Sequence, residues 1–188
     1  MKGKSKYPLY PKTGIHWSSY GEVLAADTLI RFMNSVTAET QINTIAIDSV
    51  TTSTYVYNTD DDIEKSMNLL FNIEDNEMGY PAFRPIDNSD KPTTKILTIA
   101  DSYFWGMYDW GLAKYYFNEG PFWYYNREMY PDSFEKQTFV QNLPDVTATV
   151  RENDAVLILF TDANLKDFAY DFVERLYTEY CEDGRATR

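Results

Sequence analysis

The first regular pattern of apolar positions begins close to residue 19. Ser19 and Glu22 fit the S-x-x-E capping box, in which each side chain satisfies the other residue's backbone N–H at the start of a helix. An apolar stripe spaced three, four and three residues apart follows, formed by Val23, Ala26, Ile30 and Met33. This spacing places apolar side chains on one helical face, so it predicts a helix that begins near Ser19.

Short apolar runs farther along the chain predict strands. The runs INTIAID at 42–48, KILTIAD at 95–101 and AVLILF at 155–160 are each of strand length. AVLILF is the most apolar run in the chain, which predicts a central strand buried on both faces. STYVYN at 53–58 predicts a further extended segment.

Helical and loop segments separate these strands. Further helices are predicted over residues 60–70, 102–117 and 145–152 and along the stripe of Leu165, Phe168, Phe172 and Leu176. Residues 72–93 and the aromatic segment 120–132 are predicted to be loops, since both contain glycine and proline. Strands that alternate with helices predict an α/β sandwich with a largely parallel sheet.

Composition narrows the possible classes of function. The chain has 188 residues, which suits a single domain with a substantial core, and a formal net charge of −12. Binding to nucleic acid needs a basic surface, so this charge argues against it. The single cysteine, Cys181, permits no internal disulfide, and no apolar run reaches the length that spans a bilayer. No hydrophobic segment of a signal peptide follows Met1.

Two strand ends carry candidate chemistry. Sites in open parallel sheets form at the carboxyl ends of strands, and here these ends read IADS at 99–102 and LFTDAN at 159–164. Ser102 follows its strand directly, where its own N–H and those of its neighbours would point to a developing oxyanion. A serine at this position is also a common helix N-cap. His16 is the only histidine, and it is either a catalytic base or an ordinary surface or capping residue.

The motif HWSSYG at 16–21, followed by a helix and later by a strand that ends in ADS, resembles the permuted SGNH-hydrolase domains of the alginate O-acetyltransferase-like and DHHW families. The resemblance covers about residues 7–177. It implies a three-layer α/β sandwich with a mostly parallel sheet. It also implies that Ser102 is the nucleophile, that His16 is the base, and that Asp101 is the residue preceding the nucleophile.

Two positions depart from the family pattern. The aspartate expected two residues before the histidine is replaced by Gly14, and Ala100 replaces the usual glycine before Asp-Ser. Loss of the acid that orients a catalytic imidazole can cost about 10⁴ in rate. A backbone carbonyl or another acid, such as Asp162, could hold the ring instead.

The implied activity is transfer or hydrolysis of an acetyl group on bacterial cell-surface polysaccharide, at the periplasm or the cell surface. It needs no cofactor and no metal, and its partners are an acyl donor and a polysaccharide acceptor. Further candidates for oxyanion or substrate contacts are Asn164, Trp17, Tyr103 and Trp105.

Residues 1–188 are expected to form one SGNH-like domain. About five parallel strands are expected in such a sheet and only three are assigned firmly, so this domain is expected to be the C-terminal part of a longer protein, with a homodimer or an upstream domain as a further partner. The alternative is that STYVYN or the segment 72–93 supplies the missing strands and the chain is complete.

For several of these residues, an ordinary structural role stays open as the alternative to a functional one. The aromatic residues between 103 and 125 are either a surface on which sugars stack or ordinary core. Asn164 is either an oxyanion donor or a helix cap, and the acids Asp60, Asp61 and Asp62 suggest either a cation site or a helix start. The rival to an enzyme is a catalytically silent module of the same fold that binds glycan or a partner protein.

Overall fold

The computed structural model describes residues 5–36, 41–56, 60–71, 73, 76–87 and 93–186, with side chains described to residue 181. The chain forms two compact units, Met1–Pro92 and Thr93–Arg188. The single domain expected for residues 1–188 stays a prediction. Among the described residues, no helix combines the length and the apolar character needed to cross a bilayer.

The first unit packs one long helix against a two-stranded sheet. Its elements are α1 (Ser19–Val36), β1 (Thr44–Ser53), α2 (Asp62–Met67) and β2 (Met78–Ile86). β1 and β2 pair antiparallel, from Thr44 opposite Ile86 to Ser53 opposite Met78. The apolar stripe of α1 is buried at Val23, Ala26 and Ile30, as its periodicity predicts.

The start of α1 is capped by the residue before the predicted one. The Ser18 hydroxyl accepts a hydrogen bond from the Gly21 N–H at 3.0 Å, and the Ser18 carbonyl accepts one from the Glu22 N–H at 2.8 Å. A side chain that accepts from the third residue of the helix is typical of an N-cap. Ser18 therefore caps α1, and the predicted capping box that began at Ser19 is wrong by one residue.

β2 corrects the predicted loop over residues 72–93. Its prolines, Pro81 and Pro85, lack the N–H that a central strand needs, but a two-stranded sheet leaves one edge of each strand unpaired. The predicted strand at 42–48 and the start of STYVYN form the single strand β1, which ends at Ser53. Residues 57 and 58 of STYVYN lie outside the described residues.

The second unit contains a four-stranded mixed sheet. Its strands are β3 (Ile96–Ala100), β4 (Phe122–Tyr124), β5 (Glu128–Tyr130) and β6 (Ala155–Leu159), in the spatial order β5-β4-β3-β6. β3 pairs parallel with β4 and β6, whereas β4 and β5 pair antiparallel. The α/β class is therefore confirmed, but the sheet is mixed rather than mostly parallel.

Two further expectations about the strands of this sheet are wrong. β6, predicted as the central strand, is an edge strand whose five residues are all half-buried, while all five residues of β3 are buried. β4 and β5 lie in the segment predicted as loop, residues 120–132, and they are only three residues long each. High apolar content therefore does not identify the centre of this sheet.

Helices cover both faces of the mixed sheet. They are α3 (Phe104–Asp109), α4 (Leu112–Tyr115), α5 (Val146–Arg151) and α6 (Phe172–Ala186). Leu97 and Ile99 face a buried cluster that includes Val146 of α5 and Phe172 of α6. On the other face, the ring of Phe122 lies 4.9 Å from that of Phe104 in α3. The second unit by itself thus has three layers.

Two predicted helices are shorter than expected. The helix expected over 102–117 is divided into α3 and α4 at Gly111, whose φ of +94° favours glycine. The closing helix, expected to include Leu165 and Phe168, begins at Phe172. The preceding residues, Asp162–Asp171, form an irregular 3-10 segment with left-handed backbone at Ala169 and Tyr170.

Candidate active site

His16 is held by a carboxylate from a distant part of the sequence. Its Nδ1 lies 2.8 Å from Oδ2 of Asp62, 46 residues away, and the Ile15 N–H donates to Oδ1 of the same carboxylate at 2.8 Å. An ionised carboxylate only accepts hydrogen bonds, so a neutral imidazole paired with it donates from Nδ1. In that tautomer the basic lone pair is on Nε2.

Backbone hydrogen bonds between the loop at Thr13 and α2 hold His16 and Asp62 next to each other. The carbonyl of Thr13 accepts hydrogen bonds from the N–H groups of Ile63 at 2.9 Å and Glu64 at 3.4 Å, in the first turn of α2. The Thr13 hydroxyl donates to the carbonyl of Asp60 at 3.2 Å, and Thr13 is only 5% exposed. The loop before α1 therefore caps α2, and this places Asp62 beside His16.

Each acid of the Asp60–Asp62 run has a different partner. Asp60 is buried and accepts a hydrogen bond from the Tyr80 hydroxyl at 3.0 Å, while Asp61 pairs with Lys65 at 2.7 Å. Asp62 binds His16. No group of three or more histidine, cysteine, aspartate or glutamate side chains suited to a metal ion occurs among the residues that the structure describes.

Asp101 joins the carboxyl ends of two parallel strands. It is 1% exposed, and its Oδ2 accepts hydrogen bonds from the Thr161 N–H at 2.7 Å and from Nδ2 of Asn164 at 3.0 Å. Its Oδ1 accepts from the Tyr103 N–H at 3.0 Å. With three donors around it, this carboxylate positions the loop that follows each strand.

Ser102 occupies the turn that Asp101 stabilises. The turn passes directly into α3, with the Phe104 N–H bonded to the Asp101 carbonyl and the Trp105 N–H bonded to the Ser102 carbonyl, both at 3.2 Å. The N-cap of α3 is Tyr103, and its side chain makes no capping bond. Ser102 is therefore not the N-cap of this helix. The N–H groups of Tyr103 and Phe104 donate within the turn rather than toward an oxyanion.

The remaining candidates differ in their surroundings. The Asn164 amide donates to Asp101 and, at 3.2 Å, to Oγ1 of Thr161, so Asn164 is part of the same polar cluster. Trp105 packs edge-on against the rings of Phe122, Tyr124 and Tyr130 at 4.7–5.4 Å. Trp17 and Tyr103 are half-buried. The structure thus unites Asp101 with Asn164, and His16 with Asp62, while the pairing of Ser102 with His16 stays a prediction.

Asp62 is the functional candidate that the sequence prediction missed. The sequence suggests either a cation site or a helix start for the acids at 60–62, and a backbone carbonyl or another acid, such as Asp162, as the group that holds the imidazole. The structure shows Asp62 in that role instead. The only signal in the sequence was three consecutive acids at the start of a short helix, which the helix dipole alone would explain.

The fold and these two polar clusters define an α/β protein with a histidine–aspartate pair and a serine at a strand end. No protein-family model matches the chain, and no curated protein matches it. Among solved structures it is similar to Pseudomonas aeruginosa AlgX, with 13% sequence identity and a TM-score of 0.44. The alignment covers 88% of this chain and 41% of the AlgX chain, so the chain spans about two fifths of that protein's length.

Proposed function

We propose that the chain is a serine-dependent O-acetyltransferase or O-acetylesterase that acts on cell-surface polysaccharide outside the cytoplasm. The observation that carries the proposal is the 2.8 Å bond between His16 and Asp62. It supplies the orienting acid that Gly14 cannot provide, and it leaves Nε2 of the imidazole as the base. The side chains of His16 and Asp62 are 18% and 28% exposed, so the pair is sheltered but accessible.

The proposed chemistry follows the logic of a serine–histidine–aspartate triad. The Ser102 Oγ forms a bond to the acetyl carbon while its proton passes to Nε2 of His16. The bond from that carbon to the donor oxygen then breaks, and the leaving oxygen takes the proton from Nε2. In the second half, a sugar hydroxyl or water gives its proton to Nε2 and attacks the acetyl-serine. Ser102 leaves and is reprotonated, while Asp62 stays ionised and stabilises the imidazolium.

An esterase assay on p-nitrophenyl acetate tests the proposal. Wild-type chain is expected to hydrolyse the ester, and Ser102→Ala and His16→Ala are expected to abolish turnover above background. Asp62→Asn keeps the shape of the side chain but loses the charge that orients the ring, so we expect kcat to fall on the order of 10⁴-fold. The matched control is Asp61→Asn in the same helical turn, whose partner is Lys65 rather than His16, and it should leave kcat within about twofold.

Two further variants test whether Ser102 and His16 act together and whether Asp62 already orients the imidazole. If Ser102 and His16 act as a unit, the double variant Ser102→Ala/His16→Ala loses no more activity than either single variant. Gly14→Asp should not raise turnover, because Nδ1 of His16 already donates to Asp62. A folded wild-type chain without esterase activity would overturn the proposal and favour the catalytically silent module. Full activity in Asp62→Asn would overturn the proposal at the pair that carries it, since Asp62 would then not be the acid that orients His16.

A further inference from the structure

The second unit contains a groove of about 660 Å³ that the proposed chemistry does not use. Its side walls come from α3, α4 and the turn that precedes β4. The side chains that line it and carry the argument are Tyr108, Asp109, Trp110, Lys114, Tyr115 and Glu119. A volume between about 300 and 1,000 Å³ is typical of small-molecule sites in proteins.

The groove lies at the sheet edge opposite Ser102. Gly120, which lines it, packs so closely on the backbone of Ile96 that a Cβ would overlap the Ile96 carbonyl oxygen. Ile96 is the first residue of β3, whereas Ser102 follows the last residue of that strand, Ala100. The groove is therefore separate from the serine, and a ligand bound there would not be held at the proposed nucleophile.

The aromatic side of the groove is formed by Tyr115 and Tyr108. Gly111 has a φ of +94°, and the ring of Tyr115 lies so close to it that a Cβ would come within 2.6 Å of Cδ2 and Cε2. The Tyr115 side chain is nevertheless 52% exposed. Tyr108 is held from behind by the rings of Trp105 at 5.6 Å and Phe122 at 5.3 Å. Positioned rings of this kind offer apolar surface with a polar tip.

The polar side of the groove contains the exposed carboxylate of Asp109. Asp109 accepts no hydrogen bond from the part of the chain that the structure describes, although it is next to Trp110 in the groove wall. Partial burial raises the pKa of Asp109 above its usual value. Glu119 adds a second acceptor and Lys114 adds a donor. A ligand with several hydroxyl groups would satisfy these side chains.

We infer that this groove binds an uncharged saccharide chain, stacked on Tyr115 and hydrogen-bonded to Asp109. The apolar ring surface fits the C–H face of a sugar, and the carboxylates fit its hydroxyl groups. Two acids and one lysine give the lining a net negative charge, which disfavours a polyuronate. The Lys114 ammonium lies over the Tyr115 ring, 5.2 Å from its centre, so a stacked sugar would use the opposite face of that ring.

Binding is tested by isothermal titration of the full chain with three neutral hexasaccharides, cellohexaose, chitohexaose and maltohexaose, and with a mannuronate hexasaccharide. We expect at least one neutral chain to bind and the mannuronate to bind at least tenfold more weakly. Tyr115→Ala and Asp109→Ala should each weaken binding about tenfold. The matched control is Tyr177→Ala, which removes an exposed tyrosine of α6 outside the groove and should change nothing.

Failure of this inference is separable from failure of the proposed function, because binding is measured without turnover. Ser102→Ala should bind the hexasaccharide with the affinity of the wild type, and loss of binding in that variant would overturn the assignment. The inference is also overturned if no neutral hexasaccharide binds or if affinity survives both groove substitutions. Far-ultraviolet circular dichroism of both groove variants confirms that they are folded, so weakened binding reports on the groove.

Discussion

The carboxylate of Asp101 and the backbone N–H of Thr161 meet at 2.7 Å and connect the ends of β3 and β6. Because Asp101 is 1% exposed, alanine at this position would leave the N–H groups of Thr161 and Tyr103 without their acceptor inside the protein. Buried donors without partners cost about 1–3 kcal/mol each. We expect Asp101→Ala to lower the free energy of unfolding by about 3 kcal/mol in a urea titration.

The control for this substitution is Asp167→Ala. Asp167 is an exposed acid of the same unit whose one ion pair among the described residues, with Lys166, is 3.8 Å long, so its removal should change stability by less than about 0.5 kcal/mol. Equal effects of the two substitutions would contradict the role assigned to Asp101.

Trp105 is expected to contribute to stability rather than to ligand binding. Its ring packs edge-on against four of its neighbours and tilted against the fifth, with centroid distances of 4.7–6.3 Å, and these neighbours are Tyr108, Phe122, Tyr124, Tyr130 and Phe134. Replacing a large packed ring with alanine costs about 3–5 kcal/mol. Chemical denaturation of Trp105→Ala should show a loss of this size. A loss below about 1 kcal/mol would instead leave Trp105 as a candidate for substrate contact.

Gly111 and Gly106 should respond to alanine with opposite signs. At Gly111 the left-handed backbone and the Tyr115 ring both oppose a Cβ, so Gly111→Ala should cost about 1–2 kcal/mol. Gly106 lies inside α3, where alanine is favoured over glycine by up to about 1 kcal/mol. Thermal unfolding of the two variants distinguishes the positions. The hexasaccharide affinity should fall only in Gly111→Ala, since only that change displaces Tyr115.

Tyr116 makes the stability of the second unit sensitive to alkaline pH. Burial raises the pKa of Tyr116 to about 12, against about 10 for an ordinary tyrosine. The folded state thus binds the phenolic proton more tightly than the unfolded state. Its contribution to stability is complete below about pH 10 and is lost as the pH rises toward 12.

The substitution Tyr116→Phe should remove this alkaline loss. The Tyr116 hydroxyl is buried and has no hydrogen-bond partner among the described residues, so the change should be almost neutral at pH 7. Urea titrations at pH 7 and near pH 11 should show a smaller decrease in stability for Tyr116→Phe than for wild type. The control Tyr115→Phe, at a half-exposed neighbour, should decrease as wild type does.

Local periodicity predicted the elements whose signal is contained in a few residues. The stripe from Val23 to Ile30 predicted α1, and the run that includes Ile96–Ala100 predicted β3. β2 was missed because Pro81 and Pro85 argue against a strand, and only the two-stranded sheet, a tertiary fact, makes them acceptable. The helix over 102–117 was overextended because its apolar pattern continues through Gly111, while the chain turns there.

At the candidate site, the residues placed by the strand pattern could be predicted, whereas the contact between two distant segments could not. Ser102 at a strand end and Asn164 after the neighbouring strand could be predicted, since parallel strands end at the same edge. The contact between Asp62 and His16 could not, because it depends on how the Thr13 loop docks on α2. Nothing in the composition of either segment specifies that docking.

The position of Asp62 has a consequence for how such proteins are found. A search that requires an acid two residues before the histidine rejects this chain at Gly14, although a carboxylate lies 2.8 Å from the ring. An acid that reaches an imidazole from another part of the fold is therefore visible in three dimensions and not in a short sequence motif.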